Sequence, residues 1–355
     1  MTFFFFFVII KQVKKMQKKI NYILWGIVFL LLLGFSIFGV YQNSKRLKMA
    51  SRSYFYMNTQ IFIKLYDQDT EKMDDAFEKI DQLYQEYHQL TDRYQEYKGI
   101  HNIYYLHNNQ STEDYITIDP RLYQILKLSQ EWYQKSHHKF DITLGNIIDI
   151  WKKYREQGTG VPSLEELTSV SSSSMKELEL KEPNQIRNNH LNLDLGGVAK
   201  GYATEEVKLL LETMGIERFI INAGGNVVAG APYSTQKYSI GIEDPNVPSD
   251  IFTILYADHI SVVTSGGYER FYEYEGKRYH HIIDPQTLYP ANYMKSVTVL
   301  TKNSATADIL STVLFLMPVE EGMELIESFD DTEAIWYTTD DLVVRSSGVH
   351  LFEKE

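Results

Sequence analysis

The chain has 355 residues, of which 44% are hydrophobic and 23% charged; those fractions exclude a mainly disordered polymer and allow a substantial core. It contains no cysteine, which excludes disulfides, Cys-ligated zinc, iron–sulfur clusters, a thiol nucleophile and a lipid-modified N-terminal cysteine. A formal charge of −12 argues against a nucleic-acid partner, and it is unevenly placed: residues 1–52 hold nine of the 35 Lys and Arg and none of the 47 Asp and Glu, so the remainder carries −21.

In chain order, the first signal is residues 22–41, twenty residues without a charge. As a helix they span the ~30 Å hydrocarbon core of a bilayer. Lys11, Lys14, Lys15, Lys18 and Lys19 precede them; Lys45, Arg46, Lys48 and Arg52 follow. The slight excess of basic residues before the run predicts a cytoplasmic N-terminus over 1–21, an anchor over 22–41, a polar stalk over 42–52 and an exported body over 53–355. A cleaved signal peptide is the alternative, and Met16 would open a more ordinary signal-anchor.

Residues 54–66 alternate as a strand. Residues 70–97 predict a helix, with Met73, Phe77, Ile80, Leu83 and Tyr84 along one face. A second helix is expected over 119–136. Ser163 and Glu166 form a capping-box pattern opening a helix over 163–169. Ser171–Ser174 reads as a loop, followed by strands near 177–180 and 189–194. A helix starts after Gly197 and ends by Gly215; strands and turns fill 217–302, and a last helix covers 305–317. Without a repeat or a dividing linker, the body reads as one α+β domain.

Five places carry chemistry. At Leu193–Glu205 a strand ends in Gly196-Gly197 and a helix begins with Lys200 in its first turn. Free N–H groups and a lysine at a helix start suit a phosphate, although a tight turn with a solvated lysine has the same pattern. Ile221–Asn226 and Thr264–Tyr268 each place two glycines after an apolar strand, as a ligand crevice or plain hairpins would. His280-His281-Ile282-Ile283-Asp284-Pro285 offers a histidine base with a carboxylate three residues on, or two surface histidines before a turn. Asp308 and Thr312, four apart on the last helix, put two oxygens on one face. Hard oxygen donors suit Mg²⁺; the alternative is a dipole-favoured carboxylate with Thr312 bonded back to a carbonyl. Tyrosine clusters at 84–97 and 268–274 read mainly as ordinary helix and strand faces.

Together these segments resemble the ApbE family, the FAD:protein FMN transferases. The matching stretches are Met57–Thr59, Phe140–Gly145 with Trp151, Asp194–Tyr202, Asn222–Asn226, Thr264–Arg270, His281–Pro290 and Asp308–Thr312, in the family's order. Asn58 stands where glycine is common, Asn146 where proline is frequent, and Leu288 where glycine often follows the Asp-Pro turn. The resemblance implies a T-fold-like α+β domain that takes FAD as substrate in a cleft, with Mg²⁺ at the pyrophosphate. It implies metal ligation by Asp308, Thr312 and the carbonyl of Ala199. Flavin-nucleotide contacts fall to Met57, Asn58, Thr59, Lys200, Gly224, Gly225, Thr264 and Ser265. His281 matches the base and Asp284 the acidic residue beside it. The implied reaction is attack of a Thr or Ser hydroxyl of an exported acceptor protein on the flavin-side phosphorus, with release of AMP. Hydrolysis of FAD to FMN and AMP, and flavin binding without turnover, are the alternative readings.

Overall fold

The computed structural model describes residues 2–44, 46–110, 114–171, 174–247 and 249–354. The chain divides into two compact units, Met1–Lys48 and Met49–Glu355. The first is one helix, Thr2–Ser44. Its stretch Lys11–Phe35 is long and apolar enough to cross a membrane by length and composition. Large side chains such as Trp25 and Phe29 are exposed on it.

An eight-stranded sheet organises the second unit. Its order is Lys48–Tyr56, Thr59–Asp67, Arg218–Ala223, Asn226–Ala229, Ile260–Gly266, Met294–Thr301, Glu333–Thr338 and Val343–Arg345. Period-two alternation sets its faces. Ile61, Ile63 and Leu65 are fully buried and share one core with the helices Thr70–Thr91, Ala199–Thr213 and Ser304–Phe315. A second core holds Val262, Leu300 and Ile335 against the hairpin of Tyr238–Glu243 and Ile251–Ala257. The sheet therefore lies between helices and a β-hairpin. A third cluster joins the Gly145–Gln157 helix, through Ile147 and Trp151, to Tyr272, Ile283 and Leu288.

Four sequence expectations change. The strand read over 54–66 is two strands with a turn at Met57-Asn58, whose φ values are +49° and +56°. Left-handed geometry at both central residues is that of a type I′ hairpin turn; the alternation ran unbroken through it. The first strand begins at Lys48, inside the segment read as stalk. The helix read over 70–97 stops at Thr91, because the Asp92 carboxylate accepts from the amides of Tyr94 and Gln95 and turns the chain. Residues 189–194 are not a strand; Gln185–Asn188 is, and Asn188 accepts from the Leu191 amide to end it. The helices expected over 119–136, 163–169 and 305–317 are found as Pro120–Lys135, Leu164–Val170 and Ser304–Phe315. The 171–174 loop lies partly outside the described residues.

One crossing fixes the site. A Cβ on Gly201 would lie 2.5 Å from Asp308 Cβ and 2.6 Å from the Ser304 carbonyl, so the Ala199–Thr213 and Ser304–Phe315 helices touch backbone to side chain there. Gly201→Ala should force the helices apart and cost about 1–3 kcal/mol in urea unfolding; unchanged stability would mean that the crossing relaxes freely.

Candidate active site

The glycine turn at 196–197 delivers the start of the Ala199–Thr213 helix to the Ser304–Phe315 helix. The Gly201 amide donates to Asp308 Oδ2 at 2.8 Å. Lys200 Nζ donates to the Gly196 carbonyl at 3.2 Å and stands 3.5 Å from Asp308 Oδ1. Asp308 is thus buried with two partners from the facing helix, as an internal carboxylate requires. The Thr312 hydroxyl donates back to the Asp308 carbonyl at 3.3 Å, so the backward bond weighed from sequence exists. That hydroxyl oxygen also faces the glycine turn, 3.5 Å from where a Gly197 Cβ would sit.

The other turns reach the Ser304–Phe315 helix, whose Ser304 hydroxyl donates to Asn226 Oδ1 at 2.9 Å. Ser265 and Ser311 hydroxyls pair at 2.8 Å, as do those of Thr264 and Thr298. Gly224 and Gly225 have φ of +58° and +84°, and Gly224 lies so close to the Thr59 hydroxyl that a Cβ has no place there. Thr59, Phe62, Gly224, Ile240, Thr264 and Tyr268 are among the walls of a cleft of about 350 Å³. Met57 and Asn58 sit on its rim turn, where the Met57 amide donates to His88 Nδ1 and the Asn58 carbonyl accepts from Arg270.

Neighbouring His280 and His281 have different surroundings. They end the hairpin of Phe271–Tyr274 and Lys277–His280, in which Phe271 faces His280. Arg270 and His281 therefore flank that pair at the open end. His280 Nε2–H donates to the Ala291 carbonyl at 2.8 Å and its Nδ1 accepts from the Ile282 amide; both nitrogens are committed to the scaffold. His281 Nδ1 is enclosed without a partner, while the residue keeps part of its surface accessible. Burial, then the charges of Arg270, His280, Lys200 and Arg155, push its pKa down to about 3. Burial holds His280 at about 4. Both imidazoles are neutral in the folded protein near pH 7.

Acid should expose that burial. Below the unfolded value of 6.5 the unfolded chain takes up protons that the two folded histidines refuse. Stability then falls by up to about 1.4 kcal/mol per pH unit for each, until the folded values are reached. Urea unfolding between pH 7 and 5 should show this loss, with a shallower slope in His280→Gln. Equal slopes would refute it.

Asp284 is placed differently from the expectation. Its carboxylate lies 3.4 Å from Lys139 Nζ, both side chains being buried, and accepts from the Gln286 amide at 2.9 Å. Among the described residues no hydrogen bond joins it to His281. It braces the turn in which Leu288, with φ +63°, donates its amide to the Asp284 carbonyl. Lys139 and Arg270 were missed as site residues in the sequence. Arg270 ends the Thr264–Arg270 motif and was legible there; Lys139 meets Asp284 only through the fold.

The oxygen set fits a small hard cation. No group of three or more His, Cys, Asp or Glu that would hold a metal exists among the described residues. The helix crossing places the Asp308 carboxylate at Gly201 and the Thr312 hydroxyl oxygen near Gly197, hard oxygen donors of the kind that Mg²⁺ supplements with water and substrate phosphates.

Comparison with known proteins places the chain in a family. The ApbE family model matches residues 57–336. An FAD:protein FMN transferase of Klebsiella pneumoniae is 28% identical over 306 residues, covering 84% of this chain and 92% of that protein. Its counterpart in Treponema pallidum is 29% identical over 262 residues, covering 68% of this chain and 72% of that protein. The ApbE protein of Thermotoga maritima superposes with a TM-score of 0.78 at 26% identity, over 87% of this chain and 100% of that one. The flavin transferase ApbE of Vibrio cholerae gives 0.74 at 25% identity, over 86% and 100%. The expected α+β fold is thus the fold of these proteins, and the chain belongs to the ApbE family.

Proposed function

We propose that this protein transfers FMN from FAD to a threonine or serine hydroxyl of an exported acceptor protein, leaving a phosphoester and AMP. The observation that carries this reading is His281: a neutral imidazole with an unpartnered buried nitrogen, beside Arg270 and Lys200, where Lys200 reaches the Asp308 crossing. A base beside a cationic, oxygen-lined site suits attack on a phosphate.

In this reading the cleft beside Gly224, Gly225 and Thr264 seats the dinucleotide, with Met57, Asn58, Thr59 and Ser265 along its rim. Glycine there lets the ligand approach the backbone. Lys200 and Arg270 hold the pyrophosphate and oppose the repulsion of a body with charge −21. His281 takes the acceptor hydroxyl proton as the oxygen attacks the flavin-side phosphorus; the bond to the AMP oxygen breaks and AMP leaves with that electron pair. Asp284 acts indirectly, holding the turn that follows His281. Asp308, Thr312 and the Ala199 carbonyl would hold Mg²⁺, which supplies positive charge to the phosphoryl and leaving oxygens when bound.

The Thr2–Ser44 helix would anchor the enzyme as a single span with the catalytic unit outside the cytoplasm. Its exposed apolar side chains favour that over a helix in water. The deciding experiment incubates the protein with FAD, Mg²⁺ and a candidate acceptor and reads intact mass. A gain of one FMN less water supports transfer. Free FMN and AMP with an unmodified acceptor would make the enzyme a pyrophosphatase, and intact FAD would remove the activity.

A further inference from the structure

We propose that Arg93 is a positioning residue that sets the glycine turn carrying Lys200. It follows the Thr70–Thr91 helix, remote in sequence from the motifs, and its side chain is 7% exposed. Nη1 donates to Asp194 Oδ2 at 3.1 Å. Nη2 reaches Asp149 Oδ2 and Asn192 Oδ1, each at 2.9 Å, and the Gly145 carbonyl at 3.2 Å. One planar fork thus ties the start of the Gly145–Gln157 helix to the segment 192–194 that leads into the glycine turn. Only a guanidinium has the donors for this; an ammonium is a point donor with a different geometry.

The chain of contacts continues into the site. With Oδ2 held by Arg93, Asp194 turns Oδ1 to the Gly196 amide at 2.8 Å. The Gly196 carbonyl receives Lys200 Nζ, which stands beside Asp308. Each link fixes the next: fork, carboxylate, turn amide, turn carbonyl, ammonium. A buried ion pair is weak as a source of stability, since apolar replacements often match it; what this one provides is orientation of a short glycine segment that has no side chains to orient itself.

This inference rests on the reading of Lys200 as a nucleotide contact, and the test separates the two. In the free protein, amide exchange over 194–201 should quicken in Arg93→Lys, which keeps the charge and loses the fork. FAD affinity, read from flavin fluorescence, should fall roughly 10–100-fold. In a Lys200→Ala background the same substitution should cost less than about threefold, because the group it positions is gone. Asp149→Asn, which leaves the Asp194 link intact, should leave FAD affinity within about threefold of wild type. Unchanged exchange in Arg93→Lys, or equal losses with and without Lys200, overturns the positioning role. A wild-type protein that binds no FAD would instead sink the functional reading, while the exchange result still decides on Arg93.

Discussion

His281→Ala should lower FMN transfer by about 10²–10⁴-fold while FAD binding stays within a few fold. The ring makes no hydrogen bond through Nδ1, so its removal breaks no scaffold bond there. The neighbouring His280→Ala would confuse the result, since both of its nitrogens brace backbone groups. Single-turnover intact mass and a flavin titration on the same preparation separate chemistry from binding. Transfer at the wild-type rate would remove His281 as the base. The acid limb of the pH profile is a second reading. With the free-enzyme ring held near 3 by burial and by Arg270, kcat/KM should not fall through 6.5 as an ordinary imidazole base would; protonation should remove the base only near pH 3–4. Bound phosphate would offset the repulsion from Arg270 and Lys200, so the limb of kcat should lie higher than that of kcat/KM.

Asp308→Asn should be nearly as damaging to activity, with little effect on folding. The amide oxygen can still accept from Gly201, so the helix crossing keeps its hydrogen bond. What is lost is the negative charge that would hold a divalent cation. Activity should fall by about a hundredfold or more and cease to respond to added Mg²⁺, while the melting temperature stays close to wild type. Asp308→Ala should lose the same activity and also about 1–3 kcal/mol of stability, because the buried Gly201 amide is left unpaired. An Asn variant with full, Mg²⁺-responsive activity would show that the oxygen set at the crossing does not serve a metal.

Much of this architecture was legible because local signals agreed with it. Ser163, Asp119 and Asn303 each cap a helix by accepting an amide, and those helices were read nearly to the residue. The Gly145–Gln157 and Val319–Glu327 helices have no side-chain cap and were not read at all. The turn at Met57-Asn58 was hidden because its residues are not the usual turn glycines. In the site, Lys200 lies 3.5 Å from Asp308, a proximity that neither motif carries by itself and that only the family resemblance implied. The role imagined for Asp284 rested on a spacing of three, and spacing gives no side-chain direction: in the fold that carboxylate meets Lys139, 145 residues away. Arg93 was silent for the same reason, as Asp194, Gly145, Asp149 and Asn192, which it joins, come from segments about 50–100 residues downstream.

The contact at Gly201 has a mechanical consequence. Lys200, Asp308 and Thr312 ride on two helices pressed together without an intervening side chain, so they move as one block. The facing rim is held more lightly: Arg270 reaches the Asn58 carbonyl at 3.4 Å, and the Met57 amide reaches His88 at 3.4 Å. Breathing of the cleft is therefore one-sided. In the proposed reading the helix crossing is the stiffer support for a pyrophosphate, and the Met57-Asn58 turn is the side with room to yield. His281 follows His280, whose two ring nitrogens are bonded to backbone groups, so the proposed base is itself anchored at the end of its hairpin.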